Sequence, residues 1–377
     1  MVSTMRLRDT LWAAFGLLTL PSSGWALQVT VDSTSARAVL AAVQNPSLTA
    51  EEATRIAGMK GNQGLVQKAI SYQMPATTEV LAEALLAAAH GTPANSPTAK
   101  SFRFEDVKAR AKELTALVDR IDGDTSGFQD WVTARVARFS PADARVDITG
   151  YLIVGGTSGG FAFGEPTFFL NLAYFSEFEA ARVVMAHELY HAVQGALAEH
   201  PSAWWARPGA LKGKQGKLAQ RCADTAQLFT DLYQEGSASY VGDPTLLSGE
   251  EGPLAKKTRE DMVAGLSQLG NSRTLLELSV TGLEAAKPVP YDNVYALGFY
   301  MPEILYKLGY VMARAIAVDE GNAALAALLS QPGFQFVSHY VALAKYGQDD
   351  SHPKLGPNVI AALERLKAGC RGSGTQR

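Results

Sequence analysis

One ten-residue stretch constrains this chain more than any other: residues 184–193, Val-Met-Ala-His-Glu-Leu-Tyr-His-Ala-Val. It carries His-Glu-x-x-His. On a helix, residues four apart lie one above the other on the same face, so His187 and His191 can aim both imidazoles at one point. Two neutral imidazoles at that spacing suit Zn²⁺, and Glu188 beside them can serve as general base toward a zinc-bound water. The motif therefore asks three things of the rest of the chain: a bounded helix, a third ligand and a setting suited to catalysis.

The helix has readable ends. Ser176-Glu177-Phe178-Glu179 has the form of a capping box, Phe178, Val183 and Val184 feed an apolar face, and Gly195 and Pro201 stop the helix by about His200. Upstream, residues 145–154 alternate and are β-branched, which predicts a strand, and residues 166–172 predict a second. Between them Gly155-Gly156-Thr157-Ser158-Gly159-Gly160 lacks the Lys-Ser/Thr of a phosphate loop and reads as a hairpin or a mobile flap. Residues 27–31 suggest a further short strand. Helices are expected over residues 35–44, after the capping box Thr49-Ala50-Glu51-Glu52, over 78–90 with Gly91 as the stop, over 102–121 as one long amphipathic run, and over 128–139. Lone His90 reads as a helix-end residue. Residues 254–286 and 310–367 are helical in pattern. The expected class is α+β, predominantly α-helical, with a small sheet next to the motif helix. The expected division is a leader at 1–26, a helical region at 27–143, a catalytic core at 144–310, a helical region at 311–370 and a disordered tail at 371–377.

Composition narrows the setting. With 377 residues and 47% hydrophobic content the chain can bury a sizeable core, and its net charge of −3 with mixed signs offers no basic stripe for nucleic acid. Arg6 and Arg8, an apolar run at residues 11–20 and small residues ending at Ala26 predict a secretory leader cleaved near Ala26, too short to span a bilayer. No later segment reads as a membrane span. The expected location is periplasmic or extracellular, where Cys222 and Cys370 could pair as a disulfide or remain two buried thiols.

A catalytic zinc with two His needs one more protein ligand, commonly a carboxylate. Residues 222–240 have helical periodicity and place Asp231 and Glu235 one turn apart. Glu235 is followed by Gly236-Ser237-Ala238-Ser239-Tyr240-Val241, small residues that would allow a close approach to the motif helix. His-Glu-Leu-Tyr-His followed by Glu235-Gly-Ser-Ala-Ser-Tyr-Val resembles the gluzincin metallopeptidases, and the Glu-Gly-x-Ala-x-Tyr form most resembles their alanyl-aminopeptidase-like branch. The leader and helical first half further resemble exported bacterial zinc-dependent peptidases whose function is uncharacterised. The resemblance covers about 60 residues strongly and implies a zincin-like core, with His187, His191 and Glu235 as zinc ligands and Glu188 as base. The gap from His191 to Glu235, 44 residues (191 to 235), is longer than in well-known gluzincins, with residues 204–221 as an inserted loop, and the Gly-x-Met-Glu-Asn motif of aminopeptidases is absent.

An oxyanion donor is expected opposite the base. Tyr295 is the first choice, with Tyr291 and Tyr300 as alternates. Asp231 is placed to orient a His ligand or to sit in a surface ion pair. His339 and His352 are further candidates for either role. The strand at 166–172 could take an extended peptide by edge addition. The expected function is hydrolysis of a peptide or protein substrate. The rival is a catalytically degenerate member of the same fold that binds peptides or an envelope partner.

Overall fold

The structure, a computed structural model, describes residues 27–163, 165–175, 177–198, 213–247, 252–300 and 303–370. The expected leader and tail, Ser176 of the expected capping box and the first part of the expected inserted loop lie outside these residues. The chain is predominantly helical around one small mixed sheet. Among the described residues no helix is long and apolar enough to cross a membrane.

Strands β1 (Leu27–Asp32), β2 (Val146–Ile153), β3 (Gly160–Ala162) and β4 (Thr167–Asn171) lie in the order β1-β2-β4-β3. β1 and β2 run parallel with Leu27 opposite Val146, β2 and β4 run parallel with Thr149 opposite Thr167, and β3 returns antiparallel with Phe161 opposite Phe169. β2 buries alternate residues, Val146 and Ile148 among them, as a period of two requires. Its Gly150 makes room for a neighbouring ring, since a Cβ there would fall 2.2 Å from a Phe168 ring atom. The strand at 166–172 is not the free edge expected of it. β4 is internal, and β3 takes the edge because the glycine run turns back to pair with it.

That run is held as a hairpin connection. Asn171 Oδ1 accepts from the Gly155 N–H at 3.1 Å, Asn171 Nδ2 donates to the Ser158 carbonyl at 2.9 Å, and the Gly156 N–H donates to the Phe102 carbonyl at 2.8 Å. Gly155 and Gly156 sit at φ +115° and +81°, a region that side chains avoid, so the tight return depends on glycine there.

Helices α1 (Thr34–Val43) and α2 (Ala50–Ala57) follow the sequence pattern, a further helix α3 (Lys60–Ser71) comes after them, and α4 (Thr78–His90) again matches the expected span. The Thr49–Glu52 capping box is formed in both directions, and Gly91 closes α4 at φ +69°. After the short α5 (Pro97–Ser101), the single long helix expected at 102–121 is instead two, α6 (Phe104–Ala109) and α7 (Ala111–Gly123), parted at Arg110. Between α5 and α6, Arg103 takes the left-handed conformation at φ 56°, beside the carbonyl that Gly156 occupies. A π-type turn at Ser126–Asp130 leads into the shorter α8 (Trp131–Ala137).

The second half comprises α9 (Phe178–Leu197), α10 (Gly213–Val241), α11 (Pro253–Leu266), α12 (Leu269–Glu284), α13 (Tyr291–Phe299), α14 (Ile304–Glu320), α15 (Asn322–Ala327), α16 (Gly333–Ala342) and α17 (Pro357–Lys367). α9 lies on the sheet against β3 and β4, α10 packs on α9, and α14 and α16 pack on α10. One apolar core runs through these layers from Leu27 to Leu366. Cys222 of α10 and Cys370 are joined as a disulfide with their Cα atoms 6.2 Å apart.

Candidate metal centre

α9 carries the motif in its second half, under β3. Its start differs from the expected capping box: Glu177 is the cap residue and makes no side-chain bond to α9. The Glu177 carboxylate instead accepts from the Leu254 and Ala255 N–H groups at 2.8 and 3.0 Å, filling the open N-terminus of α11. Glu179 pairs with Arg120 at 2.6 Å.

His187, His191 and Glu235 converge, with one ligand atom from each within 4.8 Å of the others. His187 Nε2 and His191 Nε2 are 3.0 Å apart, and Glu235 Oε2 stands 3.2 Å from His191 and 3.7 Å from His187. Tetrahedral zinc with bonds of 2.0–2.1 Å sets its ligands about 3.3 Å apart, so this triangle has the right edge lengths. Glu235 Oε2 is buried with no hydrogen-bond partner among the described residues. A buried carboxylate oxygen without a donor is costly unless a cation completes it, so the donor set fits a metal. Burial works against the Glu235 charge, but the two imidazoles hold its pKa well below the carboxylate range. Burial likewise opposes charge on His191, but Glu235 pushes its pKa up to about 9.

A chain of hydrogen bonds assigns the tautomer of His191. Ser237 Oγ donates to the Tyr233 carbonyl at 2.6 Å, so its lone pair is free to accept from Gln194 Nε2 at 2.9 Å. Gln194 Nε2 also donates to the Gln234 carbonyl at 3.0 Å, which turns Gln194 Oε1 toward His191 Nδ1 at 2.8 Å. His191 Nδ1 therefore carries the hydrogen, and Nε2 is left as the ligand. Gln194 thus orients His191 and ties α9 to α10. Gln194→Ala should weaken zinc affinity by about 10–100-fold, read by competition with a calibrated chelator; an unaltered affinity would remove Gln194 from this role.

Two glycine contacts set Glu235 in place. At Gly236 a Cβ would fall 2.3 Å from Gly309 Cα, so α10 and α14 touch backbone to backbone one residue after the ligand. The small residues expected to face the motif helix thus divide: Gly236 faces α14, and Ser237 faces α9. At Gly242 a Cβ would fall 2.8 Å from His187 Cβ, which lets the end of α10 cross close to the first ligand.

Glu188 is buried, and burial raises its pKa, with His187 and His191 pulling the other way. Gly160 of β3 lies directly on it: a Cβ there would sit 2.6 Å from Glu188 Oε1. The carboxylate is therefore dry and stands beneath the edge strand.

The remaining sequence candidates have other partners. Asp231 accepts from the Tyr291 hydroxyl and from Gln227 Nε2 at 2.7 Å, and burial pushes it up to about 6. Neither imidazole is among its hydrogen-bond partners. Tyr295 stacks on Phe299 with ring centroids 5.2 Å apart and meets Tyr300 edge-on at 5.4 Å. Its hydroxyl lies within electrostatic reach of Glu235; burial first, then that charge, drives its pKa up. Tyr300 is exposed. His339 pairs with Glu320 at 2.5 Å, and His352 lies between Asp319 at 3.1 Å and Asp349 at 3.0 Å. His90 meets the Leu48 carbonyl at 3.0 Å.

Sequence reasoning missed two residues. Gln194 had a local cue, since it lies one turn after His191 on the same face. Tyr306 of α14 had none. Its ring is parallel to His187 within 6° at 6.4 Å, and its buried hydroxyl lies beside Glu235; burial and that charge drive its pKa far up.

No curated protein and no solved structure matches this chain. Residues 54–349, which contain His187, Glu188, His191, Glu235 and Tyr306, match the family described as "Putative zinc dependent peptidase (DUF5700)". With most of its length and the whole His187–His191–Glu235 cluster inside that match, the chain belongs to this family.

Proposed function

We propose that the protein is a gluzincin-like metallopeptidase that hydrolyses peptide bonds, exported by its N-terminal leader. The observation that carries this reading is the convergence of His187, His191 and Glu235 beside a buried Glu188 under an edge strand. Zinc at these ligands would supply Lewis acidity toward a water and a peptide carbonyl. The chain's own groups divide the rest. An extended substrate adds to the open side of β3 through backbone hydrogen bonds, which brings a carbonyl over Glu188. Glu188, dry and raised in pKa, takes the proton of the attacking water and returns it to the leaving amine. Tyr306 and Tyr295 are the hydroxyls placed to donate to the developing oxyanion. Gln194 keeps His191 in the tautomer that ligates.

Metal analysis of the purified mature chain tests this first. Wild-type protein should hold about one Zn²⁺ per chain, and His187→Ala or Glu235→Ala should hold little. A wild-type protein that takes up no zinc sinks the proposal.

A further inference from the structure

Lys68 of α3 is a cation whose place the reaction above does not explain. Its Nζ lies 5.0 Å from the Tyr72 ring centroid and 5.4 Å from the Phe161 ring centroid. No carboxylate among the described residues pairs with it. Phe161 is the middle residue of β3 and directly follows Gly160, the residue that lies on Glu188. The second ring is fixed as well, since the Tyr72 hydroxyl shares a hydrogen bond of 2.8 Å with Ser158 Oγ. Two rings from different parts of the chain thus hold one ammonium at the edge strand, and its charge is felt at Glu188. Tyr72 in turn lies within electrostatic reach of Tyr295.

A lysine held over aromatic faces keeps most of its hydrogen-bonding capacity for another partner. An anion beside these two rings would meet three N–H donors on an apolar platform, where a charge-assisted bond is strong. Phe161 follows Gly160 in the strand and so turns to the face opposite Glu188, which puts the ammonium where alternate side chains of a strand added to β3 would point.

We propose that Lys68 is the specificity residue for a substrate carboxylate close to the scissile bond, carried by the peptide C-terminus or by an Asp or Glu side chain. This rests on the peptidase reading and deepens it. The alternative is that Lys68 acts only through Glu188, which would affect every substrate alike.

The test uses zinc-loaded full-length mature protein, as wild type, Lys68→Gln and Lys68→Arg. Two sets of matched peptides separate the sources of the carboxylate: free-acid against amidated C-termini, and Glu against Gln at each position flanking the cleaved bond. Wild type should favour one carboxylate-bearing peptide over its neutral match by about tenfold in kcat/KM, mainly through KM. Lys68→Gln should bring that ratio near one, and Lys68→Arg should keep most of it. The pair that shows the preference names the source. Equal losses of Lys68→Gln on charged and neutral peptides, or a wild type without preference, overturn the proposal. Titration calorimetry of the same pairs onto Glu188→Gln protein decides the matter without turnover. Tighter binding of the charged peptide that vanishes in Lys68→Gln/Glu188→Gln supports it, and binding indifferent to charge or undetectable overturns it. Hydrolysis of no peptide by wild type would count against the peptidase reading, while the calorimetry would still judge Lys68.

Discussion

Glu188→Gln protein should keep its zinc and lose peptide hydrolysis by about 10²–10⁴-fold, the range that a positioned general base contributes. The substitution is nearly isosteric, and the space around Glu188 is tight, with Gly160 against its side chain. An amide fits that space but cannot take a proton from water. Glu188 is not one of the three converging ligands, so the metal should stay. The paired measurements are zinc content and kcat on a cleavable peptide. Retained turnover would remove Glu188 as the base, and loss of zinc together with turnover would mean that the side chain helps to hold the metal. Intact Glu188 is also what separates an enzyme from a degenerate binder of the same fold, because peptide capture alone needs no base.

Gly236→Val should be the most damaging change away from the ligands. Its Cβ would fall 2.3 Å from Gly309 Cα and from Gly309 C, both backbone atoms that cannot rotate aside. α10 and α14 must then separate, at a cost of about 3 kcal/mol or more, the upper end for overpacked cores. Glu235 is the preceding residue, so the same shift draws its carboxylate from the two imidazoles and zinc affinity should fall with stability. Urea unfolding and chelator competition on one preparation check both. Gly270→Ala in α12 is the control, since nothing lies within 4 Å of a Cβ there and alanine favours a helix. If Gly236→Val unfolds at the same urea midpoint as wild type, the backbone contact does not hold the ligand helix.

The way each feature could be read differs with the range of the interaction behind it. The motif helix, the Thr49–Glu52 capping box and the Gly91 stop rest on contacts within a few residues, while the strands at 27–32, 146–153 and 167–171 carry a local pattern although their pairing is long-range. Periodicity and turn chemistry show such contacts directly. The long helix expected at 102–121 is divided at Arg110, whose guanidinium donates to the Ala173 carbonyl of a distant segment, a contact that its amphipathic pattern does not record. At the start of α9, Glu177 and Glu179 are recruited by α11 and by Arg120, and Ser176 of the expected capping box lies outside the described residues. The edge strand was misassigned because three residues, Gly160–Ala162, are too few to show an alternating pattern.

The same division runs through the metal centre. The sequence by itself put forward two candidate ligands and a candidate base, because 3.6 residues per turn places His187, Glu188 and His191 in relation before any tertiary contact forms. Through the resemblance it also put Glu235 forward as the third. Only the tertiary structure brings Glu235 within 3.2 Å of His191, while Asp231 bonds to Tyr291. It decided as well that Tyr306 lies beside the ligands and that Gln194 orients His191 through Ser237. The physical reason is that these outcomes depend on how closely α9, α10 and α14 pack. That closeness comes from glycines facing one another across helices, Gly236 and Gly309, whose partnership no local pattern records.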